Sequence, residues 1–329
     1  MTAENSIHTT TATANASSEA PTSSDKDRFS PLDWSAFFET KRQVSIPIEL
    51  DPSNITFSVY EINREKTDLP VIVLHHGAGH CALSFAATAR ELRTLVGDRA
   101  RILSYDVRGH GETTSADQLN LDIDRLAKDL QNVLLTLYTP ASSVTAMPEL
   151  FLVGHSMGGA TVTEVATREL VPNISGIAVL DVVQAYKDFA ISNVRHWCET
   201  RPATCETVEQ AIQWGVDSGT VRNIQSARVS FPGMVKRSST ESTYTWYTGL
   251  LATESHWSSW FDGLNQKFLT IKPKKLLILG GHGFLDDEMK AAHEQGKFQL
   301  SIFADAGHAV EEDDPIRTAK ELVEFWKKN

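Results

Sequence analysis

The segment LFLVGHSMGGA, residues 150–160, leaves a chain little choice of architecture. An apolar run, a Gly-His-Ser-Met-Gly turn and a small-residue helical start describe a strand that passes through one sharp bend directly into a helix. Such a bend places Ser156 in strained backbone geometry. The flanking Gly154 and Gly158 let neighbouring backbone approach where a Cβ would clash. The physical use of that strain is exposure of a hydroxyl at the end of a sheet, so Ser156 is the candidate nucleophile.

The rest of the chain supplies the sheet that such a bend needs. QVSIPI and ITFSVYEI read as two hairpin-like strands. VIVLHH at 71–76, RILSYDV at 101–107, LFLVGH at 150–155 and GIAVLDVV at 176–183 then alternate with helical stretches at Ala82–Leu95, Leu121–Leu137 and Gly158–Leu170. Short, continuously apolar strands of this kind belong to a parallel sheet buried on both faces. Between Gln184 and Lys272 strand signals disappear and helical periodicity takes over, which describes a helical cap inserted into the sheet. KKLLILGG, a helix from Asp286 to Glu294, FQLSIFAD and the terminal helix DPIRTAKELVEFWK complete the series, with Asp314 and Pro315 suited to the start of that helix. The expected organisation is therefore a disordered tail over 1–30, poor in large apolar side chains, and one catalytic domain over 31–329 with the insertion at 184–272.

Composition narrows the function classes. Acidic residues number 42 against 31 basic ones, a formal charge of -11 that disfavours nucleic acid and anionic membrane surfaces. No apolar run reaches membrane-spanning length. The three cysteines, Cys81, Cys198 and Cys205, form no CxxC pair, and neither a metal motif nor a cofactor fingerprint is present. A reducing compartment, cytoplasm or nucleus, is the expected location.

Three further stretches carry chemistry. His76-Gly77-Ala78-Gly79 ends an apolar strand, and its small residues leave backbone N–H groups free to face a developing oxyanion. Ala78 and Gly79 are the loop donors that the residues suggest, with the N–H of Met157 as the other. His308, in ADAGHAVEEDDP, follows the last strand and has the position of a general base. His75, His76, His80, His110, His155 and His282 also lie near strand ends and read as hydrogen-bonded structural groups. DVRGHG at 106–111 reads as a turn fixed by Asp106 and Arg108.

A base of this kind needs a carboxylate on its Nδ1–H. The strand LLILGG runs into HGFLDD, where Asp286 and Asp287 read better as the cap and first turn of the next helix. Asp181, at the end of GIAVLDVV, is the other acid on that side of the sheet. A lone Asp inside an apolar strand needs a partner, and His308 would be one.

Taken together, FSPLDWSAFFE, HHGAGHCALSF, GHSMGGA, LDVVQ, SGTVRNIQSARVS, YTWYTGLLATESHWSSWFDGL, QGKFQLSIF and GHAVEEDDP resemble the protein phosphatase methylesterases, over most of the chain. The cap segments make the likeness specific, because the elbow alone occurs across lipases, esterases and peptidases. The resemblance implies an α/β-hydrolase fold, with a mostly parallel sheet flanked by helices and a helical cap. It implies a triad of Ser156, Asp181 and His308, no cofactor, and hydrolysis of the methyl ester on the C-terminal leucine of the protein phosphatase 2A catalytic subunit by a monomer. It also implies a site poorly aligned until the phosphatase binds. Ala78, Phe85 where a Trp is expected, and a short Arg237–Glu241 segment are its departures from the family pattern. Two rivals share the same residues: a small-molecule carboxylesterase or lipase, and a phosphatase-binding inhibitor with secondary catalysis.

Overall fold

Period-two alternation along the central strands sends successive side chains to opposite faces of one sheet, and each face has its own core. In the computed structural model, which describes residues 28–139, 147–281 and 285–328, the sheet has eight strands. The six that precede the inserted segment are β1 (Thr40–Ser45), β2 (Thr56–Ile62), β3 (Val71–His75), β4 (Arg101–Tyr105), β5 (Leu150–His155) and β6 (Ile174–Leu180). Three short strands follow in that segment, β7 (Thr204–Cys205), β8 (Val235–Arg237) and β9 (Tyr244–Trp246), and the large sheet ends with β10 (Lys274–Gly280) and β11 (Gln299–Phe303).

The order across the large sheet is β1-β2-β4-β3-β5-β6-β10-β11. β1 pairs antiparallel with β2, and β2 with β4, while the remaining pairings are parallel. Val71, Val73, Leu150, Leu152, Ile177 and Leu277 face the core shared with helices Ile123–Tyr138 and Met157–Thr167. Ile72, Leu74, Phe151, Val153, Ala178 and Ile278 face the core shared with helices Ala86–Val96 and Pro315–Lys328. Each such Leu, Ile or Val contributes about 1.5–3 kcal/mol by leaving water.

Most element boundaries lie within a few residues of those expected. β6 stops at Leu180, so Asp181 stands just beyond the strand rather than inside it. Between β6 and β10 lie helices Lys187–Thr200, Val208–Asp217 and Ile224–Met234, together with a small antiparallel sheet ordered β7-β9-β8. That sheet corrects the expectation of a purely helical segment. Strands of two or three residues are too short to show alternation, and Trp246 in β9 is held instead by ring contacts with Trp197, Trp214 and Phe231.

The tail expected over 1–30 lies outside the described residues except at its end. There Phe29 is already packed in the core, and Arg228 donates to the carbonyl of Ser30. Packing therefore begins before residue 31. His282, Gly283 and Phe284 lie outside the described residues as well.

Candidate active site

The bend after β5 is built from close backbone approaches. A Cβ on Gly154 would lie 2.2 Å from the carbonyl oxygen of Gly158, and one on Gly158 would lie 2.2 Å from that of His75. Ser156 has φ 52° and ψ -119°, a conformation that costs a non-glycine residue about 1–3 kcal/mol. Two backbone hydrogen bonds hold it there. Its N–H donates to Leu180 at 2.9 Å, and its carbonyl accepts from Ala160 at 3.1 Å.

Asp181 is held as firmly. It too has a positive φ, 50°. Its N–H donates to the carbonyl of Ile278 at 2.8 Å, and its Oδ1 accepts from the N–H of Gly280 at 2.7 Å. Its Oδ2 lies 2.6 Å from Nδ1 of His308, so the tertiary structure brings these two residues together. Burial pushes the Asp181 carboxyl up, but the hydrogen bond and charge of His308 outweigh it, and the group lies below the usual carboxylate range. Burial likewise pulls the His308 imidazole down, and Asp181 more than reverses it, so the ring protonates above its ordinary pH. The His308 side chain keeps 53% exposure, which leaves the ring accessible.

Asp286 is engaged elsewhere. Its Oδ1 accepts from Met289 N–H at 2.9 Å as the cap of helix Asp287–Glu294, and its Oδ2 accepts from Asn265 at 2.7 Å. Asp287 is exposed and faces Lys290.

The two residues suggested as loop donors separate. The N–H groups of Ala78 and Met157 make no hydrogen bond to another described residue. The N–H of Gly79, by contrast, donates to Nε2 of His110 at 2.9 Å. Gly79 is therefore corrected from a candidate oxyanion donor to a loop anchor, because its hydrogen is already committed. That bond fixes the tautomer of His110, whose Nδ1–H donates to the carbonyl of Arg108 at 2.8 Å. His76 acts alike, accepting from the N–H of Val107 at 2.9 Å and donating to the carbonyl of Gly77 at 2.8 Å. Burial lowers both imidazoles, His110 to about 4, which keeps them neutral and suited to these roles.

Asp106 accepts from Ala82 and Glu112 N–H groups, and Arg108 pairs with both oxygens of Asp129 at 2.7 and 2.9 Å. Both fix the 106–111 turn. From the inserted segment, the Trp197 ring lies where a Cβ on Gly79 would meet it at 2.8 Å, so the segment reaches the loop beside Ser156.

Glu311 and Glu312 were not legible in the sequence as interior groups. In GHAVEEDDP they resemble the charged start of a helix, yet both are 0% exposed. With His80 and His155, Glu311 forms a buried group whose ligand atoms lie within 4.8 Å of one another. The only sequence signal was the number of histidines at strand ends, each needing a polar partner.

Among the described residues no hydrogen bond joins Ser156 Oγ to His308, whose one side-chain bond is to Asp181. The contact between the candidate nucleophile and the candidate base is therefore open.

Residues 72–321 match the model of the alpha/beta hydrolase family. Among curated relatives, the chain is 38% identical to Protein phosphatase methylesterase 1 of Aspergillus oryzae, over 91% of this chain and 71% of the relative. It is 33% identical to the Homo sapiens protein of the same name, over 91% and 85% of the two chains. Among solved structures, E-2-(acetamidomethylene)succinate hydrolase superposes with a TM-score of 0.68 at 17% identity, covering 88% of this chain and 99% of that one. A Mycobacterium tuberculosis esterase superposes with a TM-score of 0.65 at 17% identity, covering 92% and 96%. Likenesses of that low identity concern the fold alone.

Proposed function

Since the chain belongs to the protein phosphatase methylesterases of the alpha/beta hydrolase family, we propose that it is a serine carboxylesterase acting on the C-terminal leucine methyl ester of the protein phosphatase 2A catalytic subunit. The observation that carries the reading is the 2.6 Å contact of His308 Nδ1 with Asp181 Oδ2, beside the strained turn of Ser156.

In this mechanism Nε2 of His308 removes the Ser156 proton as Oγ attacks the ester carbonyl. The tetrahedral oxyanion is received by the N–H groups of Met157 and Ala78. Collapse breaks the C–O bond to the methoxy group, which leaves as methanol with the proton from His308. Water, deprotonated by the same imidazole, then attacks the acyl-serine, releasing the leucine carboxylate and restoring the hydroxyl. Asp181 keeps the imidazole in the Nδ1–H tautomer and stabilises its charged form. The open Ser156–His308 contact supports the expectation that the phosphatase completes the alignment on binding.

Residues 31–329 are read as one catalytic unit, with 184–272 as a cap that supplies the phosphatase surface. The enzyme is read as a monomer of the cytoplasm or nucleus. Among the described residues no helix is long and apolar enough to cross a membrane.

Incubation with methylated phosphatase 2A catalytic subunit, followed by mass spectrometry of its C-terminal peptide, tests the reading. Loss of the methyl group with the wild type and its retention with Ser156→Ala are expected. Equal demethylation by both would overturn it, and rapid turnover of short aryl esters with no action on the phosphatase would favour the small-molecule esterase.

A further inference from the structure

His155 stands next to the candidate nucleophile, and its imidazole is fully buried on the path to the candidate base. Its Nε2 lies 2.9 Å from the backbone carbonyl of His308. A carbonyl only accepts, so Nε2 carries a hydrogen and donates it. A neutral ring then offers a bare lone pair at Nδ1, and 3.0 Å from that atom is Oε1 of Glu311. Glu311 is itself 0% exposed, and among the described residues neither of its two oxygens nor the Nδ1 of His155 makes a hydrogen bond, so the two face each other as unsatisfied buried polar atoms.

If both groups were unprotonated, two acceptors would face each other without water, an arrangement that costs several kcal/mol. A single proton between them satisfies both. The surroundings favour its residence on the carboxyl. The titratable groups facing the pair are His80 and Glu312 on one side, whose Nδ1 and Oε1 lie 3.2 Å apart, and His308 with Asp181 on the other. The packed helices Ala86–Val96 and Ile224–Met234 present Thr88 and Ser226, whose hydroxyls donate to the carbonyls of Glu311 and Glu312. Among the described residues no Lys or Arg is a leading influence on Glu311. Burial, reinforced by Glu312, pushes the Glu311 carboxyl up to about 8, and burial holds His155 well below its ordinary value.

We propose that Glu311 and His155 share one proton and act as a positioning pair, tying the main chain of His308 to the strand end that carries Ser156. The inference rests on the assignment of Ser156 and His308 as nucleophile and base. Neither Glu311 nor His155 touches substrate. Their part is to hold the main chain of His308 beside the strand end that carries Ser156, leaving the His308 side chain free to close the open contact.

The test is the pH dependence of kcat/KM on a short aryl ester, with methanol release from a methylated tail peptide as a second substrate. Glu311→Gln keeps an N–H donor toward Nδ1 at every pH. It should match the wild type at neutral pH and lack the fall in activity expected of the wild type as pH rises through about 8. Glu311→Leu removes the donor and should lower kcat by about ten- to a hundredfold with KM unchanged. Infrared difference spectra should show a protonated carboxylic acid in the wild type that is missing in Glu311→Gln.

Superimposable alkaline limbs for the wild type and Glu311→Gln would overturn the proposal, whether or not Glu311→Leu folds. So would stoichiometric zinc binding that Glu311→Gln abolishes, because the cluster would then be a metal site. Ser156→Ala separates the two levels: residual esterase activity there would refute the nucleophile assignment, whereas an inactive Ser156→Ala with unchanged alkaline limbs would refute the positioning pair alone.

Discussion

Asp181 combines a positive φ, an accepted backbone hydrogen bond and the Nδ1 of His308 on one short side chain. Asparagine fits the same backbone but presents only one carbonyl oxygen. Asp181→Asn should therefore leave the fold intact while lowering kcat by about three orders of magnitude, since the imidazole loses its tautomer control and its counter-charge. Asp286→Asn, at a helix cap, should change kcat less than about twofold, an effect of cap geometry rather than chemistry. The reverse ranking would refute the assignment. A base must be neutral to act, so activity should rise with pH through the His308 titration, which lies above the ordinary 6.5. In Asp181→Asn the charge that raises it is gone and burial remains, so the limb should move down in pH. A pH-rate profile with an unmoved limb would contradict the coupling. The strained turn at Ser156 and the place of His308 after the last strand were legible from strand-turn-helix context and chain order. Glu311 was not, because an acidic run before a helix looks the same whether it faces water or the interior.

At the scale of elements, backbone contact decides where side chains are tolerated. A Cβ on Gly158 would meet the carbonyl oxygen of His75, at the end of the neighbouring strand, at 2.2 Å. Gly158→Ala must push the helix from the sheet, and a loss of about 3 kcal/mol in urea unfolding is expected. Gly296 has φ +70° with nothing within 4 Å of a Cβ, so Gly296→Ala should cost only about 1 kcal/mol of backbone strain. Equal midpoints for the two variants would show that the close approach is not what constrains the elbow. The strands of the large sheet were legible because each is five to seven residues long with apolar runs or alternation. The small sheet β7-β9-β8 was not, since its strands are short and its central β9 is held by packing of Trp246 on Trp197 and Trp214 from separate helices.

Across the whole molecule the buried sheet and the inserted segment differ in how they are held. All of β5 is buried, whereas helix Lys187–Thr200 has no fully buried residue. Amide hydrogens of 187–200 should exchange orders of magnitude faster than those of 150–155, as expected for a helix with so little buried surface. Equal protection measured by mass spectrometry would argue for a rigid segment. The sequence alone determined the βα alternation, the elbow and the chemical types at each strand end, because these depend on periodicity and on neighbours in the chain. The pairing of Asp181 with His308, 127 positions apart, was an expectation in the sequence that the tertiary structure turned into a 2.6 Å contact, whereas the commitment of Gly79 N–H to His110 and the approach of Glu311 to His155 were decided only by the tertiary structure. Those contacts depend on which strand ends lie side by side in the sheet, and local pattern does not encode strand order.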